Sequence, residues 1–448
     1  MRDRVYQVLK RIKDNKAAGP DGLPAEVWKA AGDLGVDYLT EIITDIIRSN
    51  DLPVAWRGGR LAKLFKGKGD MADCDMYRGL LMGDHSSKVF TGVFCPPVQQ
   101  RINSALPPEQ CGGVARSGAN RGHHVVSAFV ERTVMAKLYA AILFLDLTKA
   151  FDKLVREMAF HLPANATCKA DIVVNLEQAG VDAVAASHLA DYLLQHGGIL
   201  YQTEVPEHLV ELVANLHTHT WFALSPEGRI IVTKRGSRQG CRFGALIFNI
   251  VYSVALLGLR QKLGKLSVTL HAECEPSGPP WAHQPGAYPT MQVPAADVTY
   301  VDDEAILIVA DTAESLNAKL SQVAAAAHET MAAHGMLLNW KPGKSEAILM
   351  WRGAGARAAR ADAARGERMA LTLPGFPALE CLIVKEYKHL GPMQSGTPSS
   401  ALDVSERLRK ASAAYYSLVR RVFAVPQLSI PLRLRLFQSL VLSVLLLN

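Results

Sequence analysis

Val298-Thr299-Tyr300-Val301-Asp302-Asp303-Glu304-Ala305-Ile306-Leu307-Ile308 places adjacent aspartates inside a run of β-forming, apolar residues. Such a run reads as strand, and the acids mark a hairpin within it. Like charges in an apolar setting are costly unless something positive sits between them. A divalent cation would supply that charge. Ala141-Ile142-Leu143-Phe144-Leu145-Asp146-Leu147 repeats the pattern, with an apolar strand delivering a third acid. Three carboxylates at strand ends can hold two metal ions for phosphoryl transfer.

The rest of the chain frames these acids. Its 448 residues are 49% hydrophobic, enough for more than one domain, and the net charge of +7 favours a polyanionic partner. Seven scattered cysteines lack finger or ribbon spacing and suggest a reducing compartment. The N-terminus lacks an apolar signal core, and no uninterrupted apolar stretch reaches membrane-spanning length. No membrane partner is expected. The apolar end from Ser439 reads as a core helix cut short, so the chain is expected to be a fragment.

Apolar positions 34, 38, 39, 42, 43, 46 and 47 predict an amphipathic helix over 34–50. Further helices are expected over 122–139, 171–197, 244–262, 312–334, 403–425 and 431–447. Short strands are expected near 59–64 and 80–82. Trp221–Leu224 and Arg229–Val232 flank Ser225-Pro226-Glu227-Gly228, a hairpin signal. Residues 271–294, rich in Pro, Gly and His, read as a loop insertion. The mixture predicts an α+β fold with the acids on a central sheet, and a ferredoxin-like β-α-β-β-α-β core.

Several motifs occur in a telling order. They are Lys16-Ala17-Ala18-Gly19-Pro20-Asp21-Gly22, the Trp56–Asp70 segment with Tyr77-Arg78, Gln110-Cys111-Gly112-Gly113, and Phe144-Leu145-Asp146-Leu147-Thr148-Lys149-Ala150-Phe151-Asp152. Then come Arg235-Gly236-Ser237-Arg238-Gln239-Gly240, Tyr300-Val301-Asp302-Asp303, Leu338-Asn339-Trp340-Lys341-Pro342-Gly343-Lys344-Ser345-Glu346 and Tyr387-Lys388-His389-Leu390-Gly391. Together they resemble the reverse transcriptases of non-LTR (LINE-like) retrotransposons, over about residues 10–425. The resemblance implies a right-hand polymerase. Its fingers would occupy 1–140 with an N-terminal extension, interleaved with the palm. The palm would run over 141–395 and a partial helical thumb over 396–448.

It also implies roles. Asp146 and Asp302, with Asp303 a lesser ligand, would hold two Mg2+ ions (or Mn2+), which prefer hard oxygen ligands. Lys63 and Arg78 would grip the incoming triphosphate, with Arg235 and Arg238 adding phosphate contacts. Phe151 would be a steric gate under the sugar. Gln239 and Gly240 would lie near the nascent base pair. Lys344 would protonate the leaving pyrophosphate. Basic residues 407, 409, 410, 420 and 421, with Tyr415 and Tyr416, would track the nucleic-acid backbone. Implied partners are an RNA template, a DNA primer and dNTPs, inside the cell and in the nucleus of a eukaryotic host. Nothing in the chain resembles the family's endonuclease.

Some residues depart from the family pattern. Gly79 follows Arg78 where proline is usual, and Cys241-Arg242-Phe243 follows Gly240 where an aspartate and a proline-serine-proline run are common. Three readings therefore stand: an active polymerase, a catalytically degenerate nucleic-acid-binding remnant, and a group II intron maturase-like enzyme.

Overall fold

The computed structural model describes residues 1–67, 69–114, 117–160, 168–224, 228–238, 240–274, 291–358, 361 and 370–446. It is a mixed α/β protein with several open sheets. The chain divides into two compact units, each assembled from non-contiguous segments.

The first unit comprises Met1–Pro107, Thr148–Leu257 and Thr330–Leu337. Its amphipathic helix runs over Gly32–Ser49 and buries Val36, Leu39, Ile43 and Ile46, the three- and four-residue spacing of one helical face. Asn50 ends it in the left-handed conformation at φ 50°. A four-stranded sheet runs in the order Tyr77–Met82, Gly58–Phe65, Trp221–Leu224, Ile230–Val232. Its central pair is parallel and its outer pairs antiparallel. Residues 225–227, which the expected hairpin turn includes, lie outside the described residues.

The helix expected over 171–197 is instead two, Lys169–Gln178 and Ala183–His196. Gly180 takes φ 82° between them, and the Asp182 side chain caps the second by accepting from the Ala185 N–H. The helix His85–Ala105 keeps Pro96 and Pro97 inside it. The long apolar helix is Arg242–Leu266. By length and mean hydropathy alone it could cross a membrane, but 72% of its most apolar window is buried inside the protein. It is a core helix.

His217 supplies a pH test of this unit. It is buried, its Nδ1 donates to the Val213 carbonyl at 2.8 Å, and its Nε2 has no hydrogen-bond partner among the described residues. Burial, then the charges of Arg238 and Arg156, push it down to about 3. The unfolded chain takes up this proton near 6.5 and the folded chain only near 3. Stability from this group is therefore complete above pH 6.5 and is lost as pH falls below it. Thermal melts of wild type and His217→Phe from pH 8 to 4 should diverge, with wild type losing more; parallel curves would contradict a neutral buried imidazole.

The second unit comprises Pro108–Leu147, Gly258–Glu329 and Leu338–Asn448. A six-stranded sheet runs Ala370–Leu373, Phe376–Ile383, Glu346–Met350, Tyr139–Leu145, Asp303–Ala310, Asp297–Tyr300. Tyr139–Leu145 is buried along its whole length, which is why it reads as an unbroken apolar run. Alternate residues Ala140, Ile142 and Phe144 join a core with Val126, Phe129 and Val130 of the helix Ala119–Met135. Four strands, Tyr139–Leu145, Asp297–Tyr300, Asp303–Ala310 and Glu346–Met350, pair antiparallel, with the first flanked by the third and fourth. The flanks of the expected loop insertion, Leu270–Cys274 and Met291–Ala295, pair as an antiparallel ribbon. Residues 275–290 lie outside the described residues. The C-terminal segment is helical from Ala401 to Leu418 and again from Ile430, with π-helical turns at Val419–Phe423 and Gln438–Leu442.

Candidate active site

Ladder geometry places the acids of the second unit. Leu145 pairs with Glu304 across the antiparallel ladder. One further step of that register sets Asp146 opposite Asp303. Tyr300 pairs with Asp303, leaving Val301 and Asp302 as a two-residue hairpin loop. The acids that lie far apart in sequence thus converge at one end of the sheet.

The segment before the strand Glu346–Met350 closes over Asp146. Lys344 Nζ donates to Asp146 Oδ1 at 3.2 Å. Asn339 Nδ2 donates to Asp146 Oδ2 at 3.4 Å, and the Asn339 N–H to the Asp146 carbonyl at 2.8 Å. The Asp146 N–H donates to Ser345 Oγ at 3.0 Å. Lys344 is held in turn, because the Tyr387 hydroxyl donates to its carbonyl at 2.7 Å. The Tyr387 ring stacks on Phe144 with centroids 4.2 Å apart and planes 8° apart.

Burial, then the charges of Asp302 and Asp146, push the Asp303 carboxyl up to about 6, while Lys344 pulls the other way. The three carboxylates therefore crowd one another electrostatically. Among the described residues no group of three or more His, Cys, Asp or Glu side chains forms a ready-made metal cage. The donor set nonetheless suits a hard cation that takes part of its shell from water and substrate phosphate. Crowded carboxylate oxygens are such donors, and a cation would relieve their repulsion.

In the first unit, a cavity of about 440 Å³ is lined by residues that include six basic ones, Lys63, Arg78, Lys149, Arg156, Arg235 and Arg238, and one acidic, Asp152. Lys63 pairs with Gly79 and Arg78 with Leu64, so the two side chains leave opposite faces of their ribbon. Lys63 shares its face with the cavity residues Leu61, Gly79 and Leu81.

Arg235 and Arg238 both donate to backbone carbonyls. Arg235 donates to the carbonyls of Gly180, Lys153 and Gly335, at 2.6–3.0 Å. Arg238 donates through Nη2 to the Trp56 carbonyl at 2.8 Å. Among the described residues its Nε and Nη1, the Arg235 Nε and Ser237 Oγ are buried without a protein hydrogen-bond partner. Arg156, which the sequence reading missed, donates to the carbonyls of Gly236, His217, Thr233 and Arg235. No local pattern marks it, since these partners lie 61–80 residues away.

Phe151 is half-buried and stacks on Phe248 with centroids 4.9 Å apart. It is not among the residues lining the cavity, but its carbonyl accepts from the Ser237 N–H at 2.7 Å, tying the two motifs together. Gly240 takes φ 100°, and a Cβ there would stand 2.7 Å from the Leu81 carbonyl oxygen. Only glycine fits. Gln239 lies outside the described residues. On the C-terminal helix Arg407 pairs with Asp403, and Arg409 and Lys410 pair with Glu406, while Arg420 and Arg421 are exposed.

Comparison with known proteins adds a distant relationship. A stretch of 153 residues, 34% of this chain, is 25% identical to an RNA-directed DNA polymerase from mobile element jockey of Drosophila funebris. Another of 155 residues, 33% of the chain, is 28% identical to a probable RNA-directed DNA polymerase from transposon X-element of Drosophila melanogaster. The chain spans 17% of the length of each of these curated relatives. No family model matches. The chain is thus distantly homologous to mobile-element reverse transcriptases.

Proposed function

We propose that this chain is an RNA-directed DNA polymerase of the non-LTR retrotransposon class, built as palm, fingers and partial thumb. The observation that carries this reading is the convergence of Asp146, Asp302 and Asp303 at one sheet end with Lys344 donating to Asp146. The distant relationship to mobile-element polymerases supports it.

Asp146 and Asp302, assisted by Asp303, would hold Mg2+ or Mn2+. Two bound ions would lower the pKa of a primer 3′-hydroxyl and neutralise charge on the transferred phosphoryl and its leaving group. The protein's own contributions are positional and electrostatic. Asn339 and Ser345 fix the backbone of Asp146, so its carboxylate is oriented before substrate arrives. Lys344 Nζ lies 3.2 Å from that carboxylate, where it would donate a proton to pyrophosphate. Lys63 and Arg78 would supply phosphate contacts, with Arg235 and Arg238 adding to them. Phe151, backed by Phe248, would exclude a 2′-hydroxyl by bulk alone.

Primer extension with an RNA template, a DNA primer and Mg2+ tests this. Template-directed products should form with dNTPs and be at least ~10-fold poorer with rNTPs, on the order of one lost steric contact. Phe151→Val should narrow that ratio while leaving dNTP extension measurable. An unchanged ratio in the variant would remove Phe151 from the gate. A folded protein that binds primer–template without extending it would favour the degenerate remnant.

A further inference from the structure

The hairpin that carries Asp302 has an unusual residue at its tip. Val301 takes φ 61°. It is the first of the two loop residues between the paired Tyr300 and Asp303. Asp302, the second, is not in the positive-φ region. A positive φ confined to the first loop position is the pattern of a type II′ turn, where glycine is the usual occupant. A β-branched side chain there is strained and persists only if its surroundings over-determine it.

One side chain does so. Gln110 is 2% exposed. Its Oε1 accepts from the Val301 N–H at 2.9 Å and from the Gly112 N–H at 2.9 Å. Its Nε2 donates to the Val301 carbonyl at 3.4 Å. The Val301 residue is thus gripped at both its N–H and its C=O. The grip has a rigid base. Gln110 forms a parallel bridge with Thr299, where the Cys111 N–H donates to the Thr299 carbonyl at 2.7 Å and the Thr299 N–H to the Glu109 carbonyl at 3.1 Å. Gly112 completes it, because a Cβ there would stand 2.4 Å from the Val301 nitrogen.

We propose that Gln110 is a positioning residue that clamps Val301 in its left-handed conformation and thereby sets the carboxylate of Asp302. The functional consequence rests on the polymerase reading; the clamp itself does not. Removing the clamp lets the valine relax and the hairpin tip reorient, while the groups that would hold the nucleotide stay as they were. The effect should fall on turnover rather than on nucleotide affinity.

Gln110→Met keeps the buried volume and removes the hydrogen bonds. Hydrogen exchange of the peptide spanning 298–304 should quicken by ~10-fold or more, as for a strained turn that loses its support. In primer extension kcat should fall by about 10- to 100-fold with the dNTP KM changed by less than about 3-fold. Val301→Gly removes the conformational penalty, so in that background Gln110→Met should cost at least ~5-fold less in kcat. If Gln110→Met does not fold, Gln110→Glu keeps the acceptor and loses the weaker donor, and its exchange should be intermediate. Unchanged exchange in the variant, or an equal kcat loss with glycine at 301, would overturn the clamp. Faster exchange in the variant of a wild-type protein that itself shows no extension would uphold the clamp and sink the polymerase reading instead.

Discussion

Asp302→Asn and Asp146→Asn should each lower RNA-templated extension by about 10³-fold or more, with primer–template binding unchanged. The size follows from several kcal/mol of charge stabilisation at about 1.4 kcal/mol per tenfold. Asparagine keeps the shape and removes the charge that would hold a cation. Asp303→Asn should show a second signature. Its carboxyl ionises only near 6 in the folded chain and near 3.8 when unfolded. Folding is therefore penalised by this group as pH rises from about 4 to 6, and the penalty is complete above 6. At pH 8 without divalent ions, Asp303→Asn should melt higher than wild type while extending primers more slowly. A variant that melts lower at pH 8 would show that the three acids do not repel one another. Extension at the wild-type rate by Asp302→Asn or Asp146→Asn would remove that residue from the chemistry.

Arg260→Met should be among the most destabilising single changes in the second unit. Arg260 donates to both oxygens of Asp297, at 2.8 and 2.6 Å, and stands 3.1 Å from Glu109. The Asp297 side chain is 3% exposed. Beside it Glu304 is fully enclosed, accepts from the Thr299 hydroxyl, and is pushed well up by burial and by the Asp297 charge. Arg260 supplies the positive charge paired with Asp297. Without it a buried carboxylate is stranded, at a cost of about 3–5 kcal/mol. For a unit of this size that lowers the melting midpoint on the order of 10 °C. Adding Asp297→Asn to Arg260→Met should recover part of the loss. A melting change under 2 °C in the single variant would show that water already solvates the pair.

The sequence was most legible where chemistry contradicted its surroundings. Asp146, Asp302 and Asp303 stood out as charges at the ends of apolar runs, and the structure sets them at one sheet end. The helix Gly32–Ser49 was readable because its buried face repeats at helical spacing. Other elements were hidden by local signals that tertiary packing overrides. No helix is expected over 85–105, where the chain nonetheless runs helical through Pro96 and Pro97 with Val93, Val98 and Ile102 buried. The 171–197 stretch reads as one helix because its apolar pattern runs on across Gly180, where the chain turns. Proline and glycine at 275–290 masked the paired flanks of that insertion. Gln110 and Arg156 were illegible in their roles for another reason. Each acts on backbone 61–191 residues away, and no local pattern encodes such a partner.

The most direct test is to load the protein with Fe2+ in place of Mg2+ and map the cuts that ascorbate and peroxide make in the chain. Hydroxyl radicals formed at a bound ion cleave nearby backbone. Cuts near Asp146 and near Val301–Asp303, suppressed by excess Mg2+ and lost in Asp302→Asn, are the expected result. Cleavage elsewhere, or cuts that persist in Asp302→Asn, would contradict a metal centre at these carboxylates.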